Sequence, residues 1–282
     1  MDVHRREVYA RVVQAALAED LAGAGDVTTR LLFPDGGPEA HAVILSREPG
    51  VLAGTLAAYL TFQKVDPEVQ VTFHFQDGDA FPADARIAEL RGRAASLLTA
   101  ERTALNFLGR LSGIATLTRR FVERLEGTGT VLLDTRKTTP GLRLLEKEAV
   151  RAGGGANHRF GLFDGILIKD NHIHWAGGVG EALKRARLRA PHGMKIEVEV
   201  TSLEELQEAL DWGADLVLLD NFDLEDLQEA LQRIPPGVRV EVSGGITLET
   251  VRQVALLGVH YISVGALTHS ARWINFSLEA IS

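Results

Sequence analysis

The fold of this chain is set by residues 131–172, VLLDTRKTTPGLRLLEKEAVRAGGGANHRFGLFDGILIKDNH, which contain two short apolar runs, 131–133 and 165–168. Runs of this length and character are typical of buried strands. Each run ends abruptly in charged residues, and a helical segment and three consecutive glycines lie between them. Five cationic or titratable side chains lie at or near the strand ends, namely Arg136, Lys137, His158, Arg159 and Lys169. Because the whole chain carries a net charge of −8, this local positive charge predicts a pocket for an anion.

The same kind of apolar run recurs through the rest of the C-terminal half, so that the full series is 131–133, 165–168, 196–200, 216–219, 238–242 and 261–264. Helical stretches separate the later runs, at 203–210, 224–234 and 248–257. Short apolar strands that alternate with amphipathic helices predict βαβ units and a parallel sheet. The sequence has neither a Rossmann GxGxxG nor a Walker A motif, which favours a closed or nearly closed α/β barrel over a doubly wound sheet.

The N-terminal part has a less regular pattern. Helical spacing is found at 3–18 and 55–64, and strand-like runs are found at 41–46, 69–75 and 87–90. Because strands and helices are interspersed without a repeat, we expect an α+β domain here. A long helical stripe from 96 to 126 follows and leads into the parallel region.

Composition excludes several functional classes. The chain of 282 residues contains no cysteine, so disulfides, thiolate metal sites and thiol catalysis are excluded, and a reducing setting such as the cytoplasm is expected. The net charge of −8 argues against a nucleic-acid partner. The N-terminus lacks an apolar signal core, and no apolar run approaches the ~20 residues of a membrane-spanning helix, so no membrane association is expected.

Acidic residues stand at the ends of two predicted strands, where barrels carry their chemistry. Glu197 and Glu199 point to the same face of a strand, and Glu199 is nearer its C-terminal end. Asp220 closes the next strand. Two carboxylates beside a phosphate-binding loop suit Mg²⁺, which prefers oxygen ligands and substrate phosphates. The alternatives are solvated strand ends for this pair and a buried structural acid for Glu197.

Glycines follow the last two predicted strands. The sequence Ser243-Gly244-Gly245 leads toward a helix that we expect to begin near Leu248, and Gly265-Ala266 follows the final strand. Backbone N–H groups at such a helix start bind phosphate, and barrels often bind phosphate between their last two strands. Plain turns are the alternative for both loops.

Three further interpretations remain open from the residues alone. Lys169 ends an apolar run and is interpreted as a Schiff-base lysine, a salt-bridge partner or an anion contact. The histidines at 172, 174 and 269 have no metal-ligand spacing and are interpreted as hydrogen-bonded structural residues. From helical spacing alone, Arg102 is most simply a surface arginine.

Six segments taken together resemble one family. DTRKTTPG, GGGANHRFGLFDGILIKDNH, EVEV, LVLLDN, EVSGGI and ISVGALTHS follow ERTALNFLGRLSG in this order. The combination resembles the quinolinate phosphoribosyltransferases, also named carboxylating nicotinate-nucleotide pyrophosphorylases, over nearly the whole chain. The resemblance implies an open α/β barrel at 111–269, preceded by an N-terminal α/β sandwich domain at 1–110 on which the tail 270–282 packs.

The resemblance also implies a homodimer, or a higher oligomer, in which Arg102 reaches the active site of the partner subunit. It implies that quinolinate is held by Arg102, Thr135, Arg136, Lys137, His158, Arg159 and Lys169. Phosphoribosyl pyrophosphate would be held by Glu199, Asp220, Ser243, Gly244, Gly245, Val264, Gly265 and Ala266. Glu199 and Asp220 would bind Mg²⁺ through substrate or water, and Lys169, Glu199 and Asp220 would form the catalytic set.

The implied reaction transfers phosphoribosyl to the ring nitrogen of quinolinate as pyrophosphate leaves, and loss of CO₂ then gives nicotinate mononucleotide for NAD biosynthesis. No covalent enzyme intermediate and no organic cofactor are required. One alternative is a related phosphoribosyltransferase for another ring acid, which would leave part of the cation set unexplained. Two others are a Schiff-base barrel lyase that uses Lys169 and a non-catalytic barrel that senses phosphorylated metabolites.

Overall fold

The structure is a computed structural model that describes residues 3–281. Its helices are α1 (Val3–Leu21), α2 (Val27–Leu32), α3 (Thr55–Val65), α4 (Ala94–Leu125), α5 (Arg143–Ala152), α6 (Asp170–Ala176), α7 (Val179–Arg189), α8 (Leu203–Asp211), α9 (Leu224–Arg233), α10 (Val251–Ala255) and α11 (Ala266–His269). Its strands are β1 (Glu39–Ser46), β2 (Gly50–Val51), β3 (Gln70–Phe73), β4 (Ala80–Phe81), β5 (Arg86–Arg93), β6 (Val131–Leu133), β7 (Ile166–Ile168), β8 (Ile196–Val200), β9 (Leu216–Asp220), β10 (Arg239–Ser243), β11 (Tyr261–Ser263) and β12 (Phe276–Ile281). Within this part of the chain, no helix combines the length and apolar character that crossing a membrane requires.

The chain forms two compact units. Unit 1 contains the described residues of Met1–Arg119, Thr138–Gly154 and Ala266–Ser282, and unit 2 contains Arg120–Lys137 and Gly155–Gly265. Each unit is therefore built from segments that are distant in the sequence. The domain limits expected from the sequence, at 110 and 269, stay a prediction.

Unit 1 has a four-stranded antiparallel sheet in the order β12-β1-β5-β3. The C-terminal strand pairs with β1 along six residues, from His41 opposite Ile281 to Ser46 opposite Phe276. Side chains of the sheet and of α4 form one apolar core, with Ile44, Leu90 and Leu108 fully buried. Burial of apolar surface of this kind is the main term that stabilises a domain.

Unit 2 has a six-stranded parallel sheet in the order β6-β11-β10-β9-β8-β7. Among the described residues, β6 and β7 are the edges of this sheet, and Leu133 of β6 forms one further parallel bridge with Ala156. The six strands predicted from apolar runs are confirmed to within one residue at each end. The predicted α/β class, an open barrel-like parallel sheet preceded by an antiparallel sheet domain, is confirmed as well.

Two helices of unit 2, α8 and α9, begin where a side chain caps them. The Ser202 hydroxyl accepts a hydrogen bond from Glu205 N–H at the start of α8, and the Asp223 carboxylate accepts from Glu225 N–H at the start of α9. These two helices match the predicted 203–210 and 224–234. The third prediction, a helix over 248–257, was wrong in its extent because α10 covers only Val251–Ala255.

The late start of α10 has a local cause. The backbone N–H of Thr247 donates to the Thr250 hydroxyl at 3.0 Å, which closes a turn before the helix begins. Threonine side chains compete in this way with the helical hydrogen-bond ladder. The expectation that Ser243-Gly244-Gly245 leads straight into a helix near Leu248 was therefore wrong, because α10 begins at Val251.

Candidate active site

The carboxyl ends of the six parallel strands lie along one edge of the sheet in unit 2. From one side of the sheet to the other, the residues at these ends are Arg136 after β6, Gly265 after β11, Ser243–Gly245 at β10, Asp220 at β9, Glu199 in β8 and Lys169 after β7. The glycine loops are therefore neighbours, the two acids come next, and cations stand at both sides. This order arises from the strand order, because residues far apart in the sequence become neighbours only when their strands pair.

Lys169 and Glu199 form an ion pair across neighbouring strands. Ile168 and Val198 are register partners, so the next residues, Lys169 and Glu199, come side by side. The Nζ atom of Lys169 contacts Oε2 of Glu199, whose side chain is 11% exposed against 41% for Lys169. Of the three interpretations of Lys169, the structure contains the salt bridge. An ion-paired ammonium is not the free amine that a Schiff base requires.

Asp220 and the first glycine loop are joined through Asn221. The side-chain amide of Asn221 donates to Asp220 Oδ2 at 2.8 Å, and its backbone N–H donates to the carbonyl of Ser243 at 3.0 Å. Gly244 has a φ of +92°, and a Cβ at this position would lie 2.8 Å from the backbone nitrogen of Asn221. Only glycine fits both the conformation and the space.

The second glycine loop, Val264-Gly265-Ala266, follows β11 directly. Val264 is buried and its N–H donates to the carbonyl of Leu133 at 3.0 Å, which ties this loop to β6. Gly265 is half-buried, and the four-residue helix α11 begins at Ala266. The hydroxyl of Ser243 donates to the Ser263 carbonyl at 3.4 Å, so the ends of β10 and β11 are held together.

A buried carboxylate organises the cationic side of the site. Asp134, which follows β6 and is fully buried, accepts hydrogen bonds from the Asn157 side chain at 2.6 Å and from the His158 N–H at 2.9 Å. It thereby holds the segment that carries His158 and Arg159 against the segment that carries Thr135, Arg136 and Lys137. The backbone N–H of Lys137 in turn donates to the Thr135 hydroxyl at 3.0 Å.

The like charges of this cluster influence each other. Burial lowers the pKa of Arg159, and the neighbouring Arg136 lowers it further, while Glu197, Asp164 and Glu199 act in the opposite direction. The Arg159 guanidinium also donates to the Gly165 carbonyl at 3.0 Å, which fixes its direction. Two partly buried cations that repel each other form a place where an anion is stabilised.

His158 meets two buried acids on the same sheet face. Its Nε2 lies 3.3 Å from Glu197 Oε2 and 3.6 Å from Glu241 Oε2. Its Nδ1 accepts a hydrogen bond from the Arg159 N–H at 2.7 Å, so the ring proton is on Nε2 and faces the acids. A protonated Nε2 is not a metal ligand, although these three side chains lie close enough to one another to hold an ion.

The pKa of Glu241 is raised to about 7, first by burial and then by the negative charge of Glu197, while His158 acts in the opposite direction. Glu241 is therefore the carboxyl that tends to hold a proton, because burial beside a second carboxylate disfavours its charged form. Sequence reasoning left Glu197 open as a structural acid and missed Glu241. Glu241 could have been recognised in the sequence as a charged residue that alternates with valines inside a buried strand, RVEVS.

Cavities occur at both ends of this sheet. One of about 420 Å³ adjoins the carboxyl ends and is lined by Glu199, Thr201 and Glu205 among others. Another of about 650 Å³ extends from the amino ends of the strands, at Leu216 and Tyr261, to His158, Arg159, Glu197 and Glu241. The acids at 197 and 241 thus border the second cavity rather than the carboxyl edge.

Arg102 belongs to unit 1. It lies on α4 with an exposed side chain and lines a cavity of about 490 Å³ together with Glu19 and Asp20 of α1 and Trp273. Of the predicted histidines, His172 Nδ1 accepts from the Lys169 N–H at 2.9 Å and His269 Nδ1 is 2.6 Å from the Ser270 hydroxyl.

The carboxylates of Glu199 and Asp220 at the carboxyl edge fit Mg²⁺ as part of its ligand set. Glu199 and Asp220 offer carboxylate oxygens on neighbouring strands, which suits a hard cation that also keeps water or phosphate ligands. Glu199 is engaged by Lys169, and two carboxylates alone do not complete a cage. These residues therefore fit an ion that arrives with substrate phosphates.

Comparison with known proteins shows the family of the chain. Residues 26–112 match the family profile described as "Quinolinate phosphoribosyl transferase, N-terminal domain", and residues 114–279 match the corresponding C-terminal domain. The chain is 46% identical over 261 residues to a probable carboxylating nicotinate-nucleotide pyrophosphorylase of Bacillus subtilis, covering 93% of this chain and 89% of that protein. It is 43% identical to the carboxylating nicotinate-nucleotide pyrophosphorylase of Mycobacterium leprae, covering 95% of each chain.

The fold is likewise shared with a solved structure. The nicotinate-nucleotide pyrophosphorylase of Francisella tularensis superposes with a TM-score of 0.91 at 44% identity, covering 98% of this chain and 97% of that one. The profiles cover most of the chain and the relatives are similar over almost their full length. The chain therefore belongs to the quinolinate phosphoribosyl transferase family.

Proposed function

We propose that this chain transfers the phosphoribosyl group of phosphoribosyl pyrophosphate to quinolinate with loss of CO₂, giving nicotinate mononucleotide and pyrophosphate. The observation that carries the proposal is the order of residues along the carboxyl edge of the parallel sheet. Two glycine loops, two carboxylates and flanking cations match a substrate pair made of an activated sugar phosphate and a doubly charged acid. The cysteine-free composition also supports a reducing, cytoplasmic setting.

Quinolinate carries two carboxylates, and burying them requires paired cations. In this proposal Arg136, Lys137, Arg159 and Lys169 supply the positive charge, and Thr135 and His158 lie beside them. The repulsion between Arg136 and Arg159 is relieved when a dianion binds, which favours binding. An acid with a single carboxylate would neutralise less of this charge.

Phosphoribosyl pyrophosphate would lie along the other half of the edge. The loops Ser243-Gly244-Gly245 and Val264-Gly265-Ala266 would hold its 5′-phosphate through backbone N–H groups, and the absence of side chains at the glycines permits a close approach. Glu199 and Asp220 would bind the ribose hydroxyls. They would also hold Mg²⁺ through water or pyrophosphate oxygens, and the ion would offset the charge of the leaving group.

In the reaction, the quinolinate nitrogen attacks C1 of the ribose while the C1–O bond to pyrophosphate breaks. The carboxylates of Glu199 and Asp220 stabilise the positive charge that develops on the sugar. The new N–C bond makes the ring cationic, so the electron pair of the breaking C2–CO₂ bond is stabilised next to the ring nitrogen. A proton then replaces CO₂ at C2. Positioning and electrostatics thus perform the chemistry.

The reaction is tested by incubating the purified chain with quinolinate, phosphoribosyl pyrophosphate and Mg²⁺ and measuring CO₂ and nicotinate mononucleotide. We expect equal amounts of the two products. Nicotinate in place of quinolinate is the matched control, and we expect turnover at least about 100-fold lower because one carboxylate contact is lost. Faster turnover of nicotinate would instead favour the alternative phosphoribosyltransferase.

We also propose a homodimer in which Arg102 reaches the site of the partner subunit. The exposure of Arg102 on α4 leaves its guanidinium available for such a contact. We expect Arg102→Ala and Lys169→Ala each to abolish activity. After the two variants are denatured, mixed and refolded together, about a quarter of the wild-type sites should be intact, because half of the dimers are hybrids with one complete site. Activity that stays at the level of the single variants would contradict the shared site.

A further inference from the structure

An ion pair in unit 1 contacts the two chain segments that continue directly from proposed substrate-binding residues. Glu146, on α5, is fully buried, and Arg110, on α4, is 14% exposed. The Arg110 guanidinium donates to Glu146 Oε1 through Nε at 3.1 Å and through a terminal nitrogen at 2.8 Å. Both donors converge on one carboxylate oxygen, and these charge-assisted hydrogen bonds hold the guanidinium against Glu146.

The first of these segments follows the cationic motif. Thr138 comes directly after Lys137 in the sequence, and Thr139 makes two hydrogen bonds to Glu146, from its N–H at 3.0 Å and from its hydroxyl at 2.7 Å. The Arg143 side chain adds a bond to the Thr138 hydroxyl at 3.0 Å. The chain is thus fixed within two residues of Lys137.

The second segment follows the second glycine loop. Arg110 donates to the carbonyl of Thr268, and at 3.4 Å to the carbonyl of Ala271. Thr268 is fully buried and stands two residues after Ala266, where the proposed phosphate loop ends. A single guanidinium therefore binds the glutamate that fixes one segment and the backbone of the other.

We infer that Arg110 and Glu146 are positioning residues, which hold the segments after Lys137 and after Ala266 so that both substrate-binding loops keep their working geometry. This inference rests on the proposed function, because it takes the role of those loops from there. Neither residue is placed in contact with substrate. Displacement of a binding group by about 1 Å costs on the order of 100-fold in rate, so such a support has a measurable effect.

The same helix offers a matched control. Glu148, two residues after Glu146, forms an ion pair with Arg5 at 2.7 Å and accepts from the Tyr9 hydroxyl at 2.5 Å. Its side chain is 11% exposed. The chemistry is an Arg–Glu pair with a hydroxyl donor, as at Glu146, but these partners lie on α1, and a further contact at 3.5 Å is to Arg151 of α5 itself. A merely structural role would make the two glutamates equivalent.

The experiment measures the KM for quinolinate and for phosphoribosyl pyrophosphate in the Glu146→Gln and Glu148→Gln variants of the full chain. We expect both variants to unfold at lower temperature, because each leaves a partly buried arginine without its charge partner. Glu146→Gln should raise both KM values by about tenfold or more. Glu148→Gln should leave both within about twofold of the wild type.

Thr139→Ala distinguishes the two segments and remains informative if Glu146→Gln fails to fold. It removes the hydroxyl bond to Glu146 and the 3.5 Å bond from Arg110 to that hydroxyl, and it leaves Arg110 on Thr268. We therefore expect the KM for quinolinate to rise about threefold to tenfold with no change for phosphoribosyl pyrophosphate. Unchanged KM values in Glu146→Gln, or in Thr139→Ala where the former is unfolded, overturn the inference. Lack of activity in the wild type would instead refute the proposed function.

Discussion

Two glutamates on the same face of the parallel sheet are neutralised in different ways. Glu199 lies toward the carboxyl ends of the strands and is neutralised by Lys169, whose side chain is 41% exposed. Glu241 is 2% exposed, lies beside Glu197, and has a pKa raised to about 7, so a proton neutralises it below that pH. The difference shows that one sheet face contains two regions. The ionic region, at Lys169 and Glu199, is suited to charged substrates, and in the buried region, at Glu197 and Glu241, burial favours a neutral acid.

The ionic region provides the larger predicted effect. Lys169→Ala removes a cation from the proposed quinolinate pocket and leaves the largely buried Glu199 without its partner, which repels a dianion. We expect kcat/KM to fall by about 1000-fold or more. Steady-state assays with both substrates would measure this.

Lys184 supplies the control for that change. It lies on α7, is 55% exposed, and pairs with Glu181 at 3.7 Å, so it is a lysine–glutamate pair in the same unit away from the strand ends. Lys184→Ala should leave kcat/KM within about twofold of the wild type, because exposed pairs contribute little. A loss of less than tenfold in Lys169→Ala would show that the ion pair is structural only.

The buried region provides the smaller effect, and it appears in stability. The pKa of Glu241 is raised in the folded protein from its ordinary 4.5 to about 7, so between these values the folded state binds more protons than the unfolded state. Stability from this group is full below pH 4.5 and declines as the pH rises toward 7. Glu241→Gln mimics the neutral acid and removes this decline.

Urea unfolding of wild type and Glu241→Gln at about pH 5 and about pH 8 tests this difference. We expect the variant to gain roughly 1 to 3 kcal/mol relative to wild type between the two pH values. Glu229→Gln, an exposed change on α9, should shift by less than about 0.5 kcal/mol. If Glu241→Gln shifts no more than Glu229→Gln, the folded protein does not favour the protonated form of Glu241.

Much of the fold was predictable from the sequence, because strand identity in unit 2 depends on local apolar runs. The runs at 196–200 and 216–219 became β8 and β9 with ends within one residue. The prediction failed where side chains compete with the helical ladder, as at Thr247 and Thr250 before α10. The chain path of unit 1 was also not visible in any window, because it joins residues 138–154 to α4 and the C-terminal strand to β1.

The candidate site was likewise predictable only in part. The charged and glycine residues at strand ends were recognisable because each interrupts an apolar run. The partners were not: Asp134 holds His158 across 24 positions, and Arg110 binds Glu146 across 36. Glu241 was missed because its neighbours Glu197 and His158 lie on other segments, and only their proximity changes its protonation.

The sequence by itself determined the strands, the residues at their ends and the resemblance to one enzyme family, because apolar periodicity and motif chemistry are local properties. Only the tertiary structure decided which ends are neighbours, which glutamate receives a lysine and which receives a proton. The physical reason is that electrostatic and hydrogen-bond energies depend on distance and burial, and both are set by strand order and packing rather than by separation along the chain.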